Sequence, residues 1–286
     1  MRFLLQFLAL VAQFLALVAV YVAGGQAVSA ITGNPWLTLV LSLLVAVAAL
    51  AVYRWVVGRT ERREVTELAT ADAGRGFGRG LLIGFGMFAA VVLNMAFLGS
   101  FHLHGIGSVS GALGLLGVMA AAAAAEEAIF RGVLFRNIEK WLGTWLSLLL
   151  TGSLFGLLHL ANPDATPWGA IAIAVEAGFM LAACYAATRS LWVPIGLHFG
   201  WNFALGGVFS MAVSGSGDSK GLLETSTSGS TLVTGGTFGP EGSLYTVGAG
   251  IALTVAFLVL AKVRGRIVPL RRRTAAPDAT AATLIR

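Results

Sequence analysis

Residues 121–135 read A-A-A-A-A-E-E-A-I-F-R-G-V-L-F. Two adjacent carboxylates, Glu126 and Glu127, and one guanidinium, Arg131, stand inside an otherwise apolar run. A charge at the centre of a membrane helix costs about 2.5–3.5 kcal/mol on insertion scales. Either the run is no membrane helix, or its charges are compensated. The surrounding chain decides for the membrane. Of 286 residues, 57% are hydrophobic and 11% charged, and the mean hydropathy is +0.84. A soluble domain carries about 25% charged residues.

Working outward, helix-length apolar windows fall near 3–23, 36–57, 80–99, 109–135, 142–160, 168–188, 194–213 and 245–262. At about 20 residues per span, they predict an all-α polytopic membrane protein of about eight transmembrane helices. The first window is long for a signal peptide and has only Arg2 before it, so it reads as a retained helix. The whole chain, 1–286, reads as one membrane domain. Its core covers about 60–213, followed by a Gly/Ser/Thr-rich segment, 214–243, expected to be a flexible external loop, and a basic cytoplasmic tail, 263–286. The charged stretch R-T-E-R-R-E-V-T-E-L at 59–68 reads as a cytoplasmic segment with a short interfacial helix.

The formal charge of +6 does not point to nucleic acid. With the N-terminus in the cytoplasm, 18 of the 19 Lys and Arg residues fall on the cytoplasmic side and only Lys220 lies outside. That is the positive-inside pattern. It predicts a multi-pass protein of the cell membrane with both termini cytoplasmic, and attraction to membrane lipid as a by-product. The single cysteine, Cys184, excludes a disulfide framework and reads as a small buried apolar residue.

Intramembrane polar residues are functional candidates, and three groups qualify. Glu127 and Arg131 are four apart on one helical face, acid first, and neutralise each other. Glu126 is turned about 100° away, so it is left free for chemistry as a general base. His159 ends the run F-G-L-L-H, and His198 begins H-F-G-W-N, which sets His198 and Asn202 on one face as two donors to one point, as an oxyanion site needs. Singly, each histidine reads more simply as a satisfied interfacial residue, Asn202 as a bridge between helices, and Glu127–Arg131 as a structural ion pair. Their co-occurrence with a spare carboxylate favours catalysis. His102 and His104 fall in a short external loop. Glu176, in helix six, has no basic neighbour in sequence and reads either as a helix-to-helix bond or as part of the same cavity.

E-E-A-I-F-R-G, F-G-L-L-H and H-F-G-W-N together resemble the EExxxR, FxxxH and HxxxN/B motifs of the CAAX prenyl endopeptidase and bacteriocin-processing (CPBP, or Abi) family of intramembrane proteases. The likeness covers roughly residues 60–205. It implies hydrolysis of a peptide bond in a membrane-associated protein or peptide. Glu126 matches the glutamate that activates water, assisted by His159. His198 and Asn202 match the oxyanion donors, and Glu127 and Arg131 the supporting positions. No G-x-S-x-G elbow or H-E-x-x-H helix is present. Glu126, His159 and His198 also form a two-histidine, one-carboxylate set of the kind that binds Zn2+ with an open position. The resemblance favours a metal-free mechanism on the same residues, with no cofactor.

Two other functions use the same residues differently. A proton-coupled transporter would employ Glu126, Glu176 and the histidines as a relay. A non-catalytic membrane scaffold or immunity protein would bind its partner through 214–243. One tension stands in the drawn topology. A fifth helix beginning at about residue 142 sets His159 about 25 Å further out, whereas His198 lies near the inner end of helix seven. Their cooperation requires helix five to start deeper in the cytoplasm, helices six and seven to have displaced ends, or the A-N-P-D-A-T-P segment at 161–167 to dip into the membrane.

Overall fold

The computed structural model describes residues 2–31 and 33–270; the tail arginines Arg271, Arg272, Arg273 and Arg286 lie outside the described residues. Six stretches are long and apolar enough to cross a membrane: Leu4–Ser29, Pro35–Glu61, Thr66–Phe97, Val109–Ala161, Pro167–Thr188 and Leu244–Val263. The fourth has 53 residues, about 80 Å of straight helix, far more than the roughly 30 Å of a hydrocarbon core. It is a hairpin. Helix α4 (Val109–Glu127) widens into a π-helical stretch, Ala128–Phe135, and continues into α5 (Arg136–Leu158). The chain reverses only at Gly143, where φ is 71° and ψ 172°. A Cβ there would also sit 2.8 Å from Val268 O and Leu270 N, so the turn requires glycine. Each arm of this hairpin crosses separately. With the shorter α8 (Trp192–Asn202, 11 residues), extended by six π-helical residues, Phe203–Val208, the count reaches the eight expected.

The hairpin resolves the tension in depth. No loop separates helices four and five at 136–141, so the fifth crossing begins deeper than the apolar pattern indicates. Glu126 and His159 stand nearly the same number of residues before and after Gly143 and therefore lie level. At the same end of the bundle, residues 62–72 form no interfacial helix, and although most of them are exposed, Val65, Glu67 and Leu68 are buried. The segment forms two short 3-10 turns, Thr66–Leu68 and Thr70–Asp72, that tuck inward until Glu67 is buried. Leu191 N–H bonds Glu67 O at 2.9 Å, so α8 starts on this inserted segment rather than at the membrane surface, and His198, two turns on, reaches the depth of Glu126.

Helices α1 (Arg2–Ser29) and α2 (Pro35–Glu61) pack together, and α2 lies along α4. Asn34 caps α2, its side-chain oxygen accepting from Trp36 N at 3.1 Å and Leu37 N at 3.2 Å. Helix α3 (Ala73–Phe97) is pressed against α8. Glycines recur every fourth residue on the facing surfaces: Gly80 and Gly84 on α3, Gly196 and Gly200 on α8. A Cβ on Gly80 would stand 2.1 Å from Val193 O, and one on Gly84 2.1 Å from Leu197 O. This small-residue contact fixes the height and rotation of α8, and hence of His198 and Asn202. Pro167–Ile173 (α6) and Met180–Thr188 (α7) form one span through a π-helical stretch, Ala174–Phe179. A final span, Leu244–Val263, packs on α7.

Two ends of the bundle differ in charge. At one, Glu61 binds Arg63 (2.9 Å), Arg136 and Lys140 (3.4 Å), and Glu139 binds Arg189. Arg189 also donates to Arg266 O at 2.6 Å, and Thr144 N–H to Val268 O at 2.9 Å, so the chain after the last span is strapped across the hairpin turn. At the other end, residues 214–243 are not the flexible loop expected. Strand β2 (Leu223–Thr227) pairs antiparallel with β1 (Phe101–Ile106), accommodating one extra residue, His104. His102 and His104 face Ser228 and Ser226 on this ribbon, each at 2.7 Å. Asp164 N–H bonds Gly215 O at 2.9 Å, and Gly215 N–H bonds Phe238 O at 2.8 Å. The low hydropathy of the segment marks it as non-spanning, while backbone pairing holds it in place.

The α3–α8 contact makes a sharp prediction. Gly84→Val forces the two backbones apart and lowers stability by about 3 kcal/mol or more, read as a lower unfolding temperature in detergent. Gly86→Ala, where an added Cβ meets nothing within 4 Å, is neutral or stabilising by up to about 1 kcal/mol.

Candidate active site

Arg131 is 1% exposed, and every group around it satisfies a donor. Nη1 donates to Glu127 Oε1 at 2.8 Å, and Nη2 to Ala177 O and Gly178 O at 2.9 and 3.1 Å. Its guanidinium lies 4.8 Å from the Phe155 ring centroid, a cation–π contact. The two carbonyls belong to the π-helical stretch after α6, where the widened turn leaves them free to point across to α4. The pair expected from sequence is therefore present, and it ties the α6–α7 span and α5 to α4.

Glu127 is fully buried and does more than neutralise Arg131. Its Oε1 also lies 2.9 Å from His198 Nδ1. A carboxylate accepts only, so Nδ1 carries a proton and Nε2 is turned toward Glu126, whose Oε2 lies 3.9 Å away. Glu126, expected to be unshared, keeps clear of Arg131 but not of every partner: Tyr21 of α1 donates its hydroxyl to Oε1 at 2.8 Å. One carboxylate oxygen is held and the other faces His198. The Glu126 side chain is 18% exposed, against 0% for Glu127.

His159 stands at the end of α5, its Nδ1 donating to Phe155 O at 2.7 Å, which leaves Nε2 as an acceptor. Its ring lies 4.8 Å from that of Phe155, whose ring is 6.2 Å from that of His198. Phe155 thus separates the two imidazoles and seats them on either side. Asn202, one turn beyond His198 on α8, is buried and bonds no described side chain. Glu126, His159, His198 and Asn202 all line one cavity of about 370 Å³. His159 and Glu126 make no direct hydrogen bond. A second pocket of about 160 Å³, lined by Glu126, Phe130, Leu158 and His159, lies beside it, and Leu158 is 55% exposed.

Three groups at this cavity were not foreseen. Tyr21 lies 105 positions from Glu126 and looks like any aromatic in an apolar run. Glu241, in the G-P-E-G turn Pro240–Gly242, is buried. It accepts from Trp201 Nε1 at 2.9 Å, from Ser214 Oγ at 3.0 Å and from Ser214 N. Burial pushes its carboxyl up from the ordinary value, against the pull of these hydrogen bonds. Ser214 joins it through those bonds. An acid set between Pro240 and Gly242 was the available signal. Glu176 fulfils neither sequence expectation. It is fully buried, its oxygens find no partner among the described residues, and Gly250 packs directly on it. Cys184 is free and buried. Among the described residues, no three His, Cys, Asp or Glu side chains stand close enough to hold a metal ion.

Chemically, the cavity offers a carboxylate oriented by a phenol, an imidazole with a free lone pair, and an imidazole and an amide one helical turn apart. It is the equipment to deprotonate a small nucleophile and to receive negative charge on an adjacent oxygen. No curated protein and no solved structure matches the chain significantly. Residues 108–204, about a third of the sequence, match the family model described as Type II CAAX prenyl endopeptidase Rce1-like. The matched segment contains all six residues singled out, Glu126, Glu127, Arg131, His159, His198 and Asn202, and over those residues this membrane protein is similar to that family of proteases.

Proposed function

We propose that the protein is a metal-free intramembrane endopeptidase of the cell membrane, which hydrolyses a peptide bond of a membrane-associated protein or peptide. The observation that carries this reading is the convergence of Glu126, His159, His198 and Asn202, from three helices distant in sequence, on one cavity with a second pocket beside it. A scaffold needs no such convergence. A relay for transported protons needs a continuation beyond it, whereas below Glu126 the path is closed by Glu127, Arg131 and Phe155, all buried.

In this mechanism Glu126 takes a proton from a water held between it and His159. The water oxygen attacks the scissile carbonyl carbon. The carbonyl oxygen becomes an oxyanion held by His198 Nε2–H and Asn202 Nδ2–H. The tetrahedral adduct collapses with cleavage of the C–N bond, and the proton held by Glu126 passes to the leaving amine, giving an acid and an amine. Glu127, already bonded to Nδ1–H, supports the positive charge His198 needs in order to donate from both nitrogens. Tyr21 fixes the plane of the Glu126 carboxylate, and Phe155 keeps the imidazoles apart.

Three measurements test the reading on purified protein in bilayers with a membrane-anchored peptide. Glu126→Gln lowers kcat by about 10²–10⁴, the usual share of a general base, with unchanged thermal stability. Cleavage at the wild-type rate by this variant refutes the mechanism. Tyr21→Phe removes one hydrogen bond to a charged group, worth about 1.5–3 kcal/mol, and lowers kcat by roughly tenfold to a hundredfold with little change in KM. Exhaustive chelation leaves kcat/KM unchanged; a loss reversed by added Zn2+ refutes the metal-free assignment.

A further inference from the structure

The reactive cavity has one closed end and one open end, and the two ends coincide with the two charge faces of the bundle. Helix α4 and its π-helical extension run without a break from Val109 to Phe135, about 40 Å at 1.5 Å per residue. At the start of this rod, Ser108 N–H bonds Gly221 O at 2.7 Å. At its far end, Arg136 joins the ion-pair belt with Glu61, which also holds Arg63 and Lys140. The cavity follows the rod from Leu115 to Glu126 and is lined beyond it by residues 213–219, of which Ser216 and Asp218 are exposed. Toward the belt Phe155 belongs to its wall, Glu127 and Arg131 are buried behind that wall, and Tyr53 OH bonds Gly132 O at 3.2 Å and Glu67 at 2.5 Å. No water path runs to the basic face through these buried groups.

The positive-inside rule assigns the belt face to the cytoplasm. Arg54, Arg59, Arg62, Arg63, Arg75 and Arg79 all lie in or beside the connection from α2 to α3 at that end, whereas Lys220 is the one lysine or arginine among the described residues at the other. We propose that the cavity is loaded from the non-cytoplasmic side of the membrane, so that its substrate is a polypeptide segment exposed on that side. This names a substrate class for the peptidase reading and rests on it for the word substrate. The side of entry stands on geometry and charge alone. A prenylated C-terminus, which is made in the cytoplasm, arrives at the closed face.

Cysteine accessibility separates the two. The native thiol, Cys184, is fully buried, so wild-type protein gives a silent background. Single variants place a thiol one turn above Glu126 (Ala122→Cys), at the rim (Asp218→Cys) and on the belt face (Arg59→Cys). A small membrane-impermeant methanethiosulfonate applied to intact cells is expected to modify Ala122→Cys and Asp218→Cys completely, and Arg59→Cys only after permeabilisation. Modification of Arg59→Cys in intact cells, or of Ala122→Cys only after permeabilisation, overturns the proposal. So does an Ala122→Cys thiol silent from both sides. Val118→Cys, on the same cavity wall, serves if Ala122→Cys does not accumulate. Labelling requires no turnover. A protein that labels as expected and cleaves no peptide refutes the peptidase reading and leaves the side of entry standing.

Discussion

A guanidinium buried to 1% exposure is the constraint from which the rest of the site follows. Leaving such a charge unpaired costs several kcal/mol, and removing one partner of a buried pair about 3–5 kcal/mol. Arg131 therefore dictates what surrounds it. Glu127 must be ionised beside it, two carbonyls of the α6–α7 span must turn toward it, and the face of Phe155 must cover it. Each requirement recruits a different segment. Glu127 then passes the constraint on, because the oxygen that meets Arg131 also receives His198 Nδ1–H. The arginine lies behind the cavity wall, against Phe155 and Ala177, and sets the position of the helix that carries the proposed oxyanion donors.

The local backbone serves the same end. Among the described residues three π-helical stretches occur, and each abuts or bonds a polar residue of the site: Ala128–Phe135 follows Glu127, Ala174–Phe179 contains the carbonyls that receive Arg131, and Phe203–Val208 follows Asn202. Widened turns of this kind are rare and cluster at functional sites. They release a backbone carbonyl from its helical partner and re-aim the side chains on either side. In an apolar bilayer such a released group needs a new donor, and for Ala177 and Gly178 that donor is Arg131. The cost of the irregular backbone and the cost of the buried charge offset each other.

Much of this was legible in the residues. Charged residues in an apolar run marked the site because the bilayer tolerates them only when compensated. The spacing of Glu127 and Arg131 gave their pairing correctly, since both lie on one helix and local geometry suffices. His198 and Asn202 were correctly set on one face for the same reason. What failed was long-range. Tyr21 carries no local mark, and Glu241 none beyond its place between Pro and Gly, because their partners Glu126 and Trp201 lie on other elements. Residues 214–243 looked flexible because composition registers the lack of apolar residues but not the strand pairing with 101–106. The reversal at Gly143 was hidden because the hydrophobic pattern pauses at 136–141, whereas the backbone does not turn until a positive φ becomes possible.

The sequence by itself determined the solvent, the fold class, the charge asymmetry of the two faces and the identity of the polar residues inside the membrane. Hydropathy, charge and residue type act position by position, so they can be read from the chain without knowing what touches what. Only the tertiary structure decided depth, partnership and access: that Glu126 and His159 lie level, that His198 rests on Glu127 while Tyr21 holds Glu126, and that the cavity is closed toward the arginine belt. Those properties depend on where a helix begins relative to its neighbours. The inserted turn at Glu67 and the glycine contact between α3 and α8 set that offset, and no one-dimensional pattern contains it.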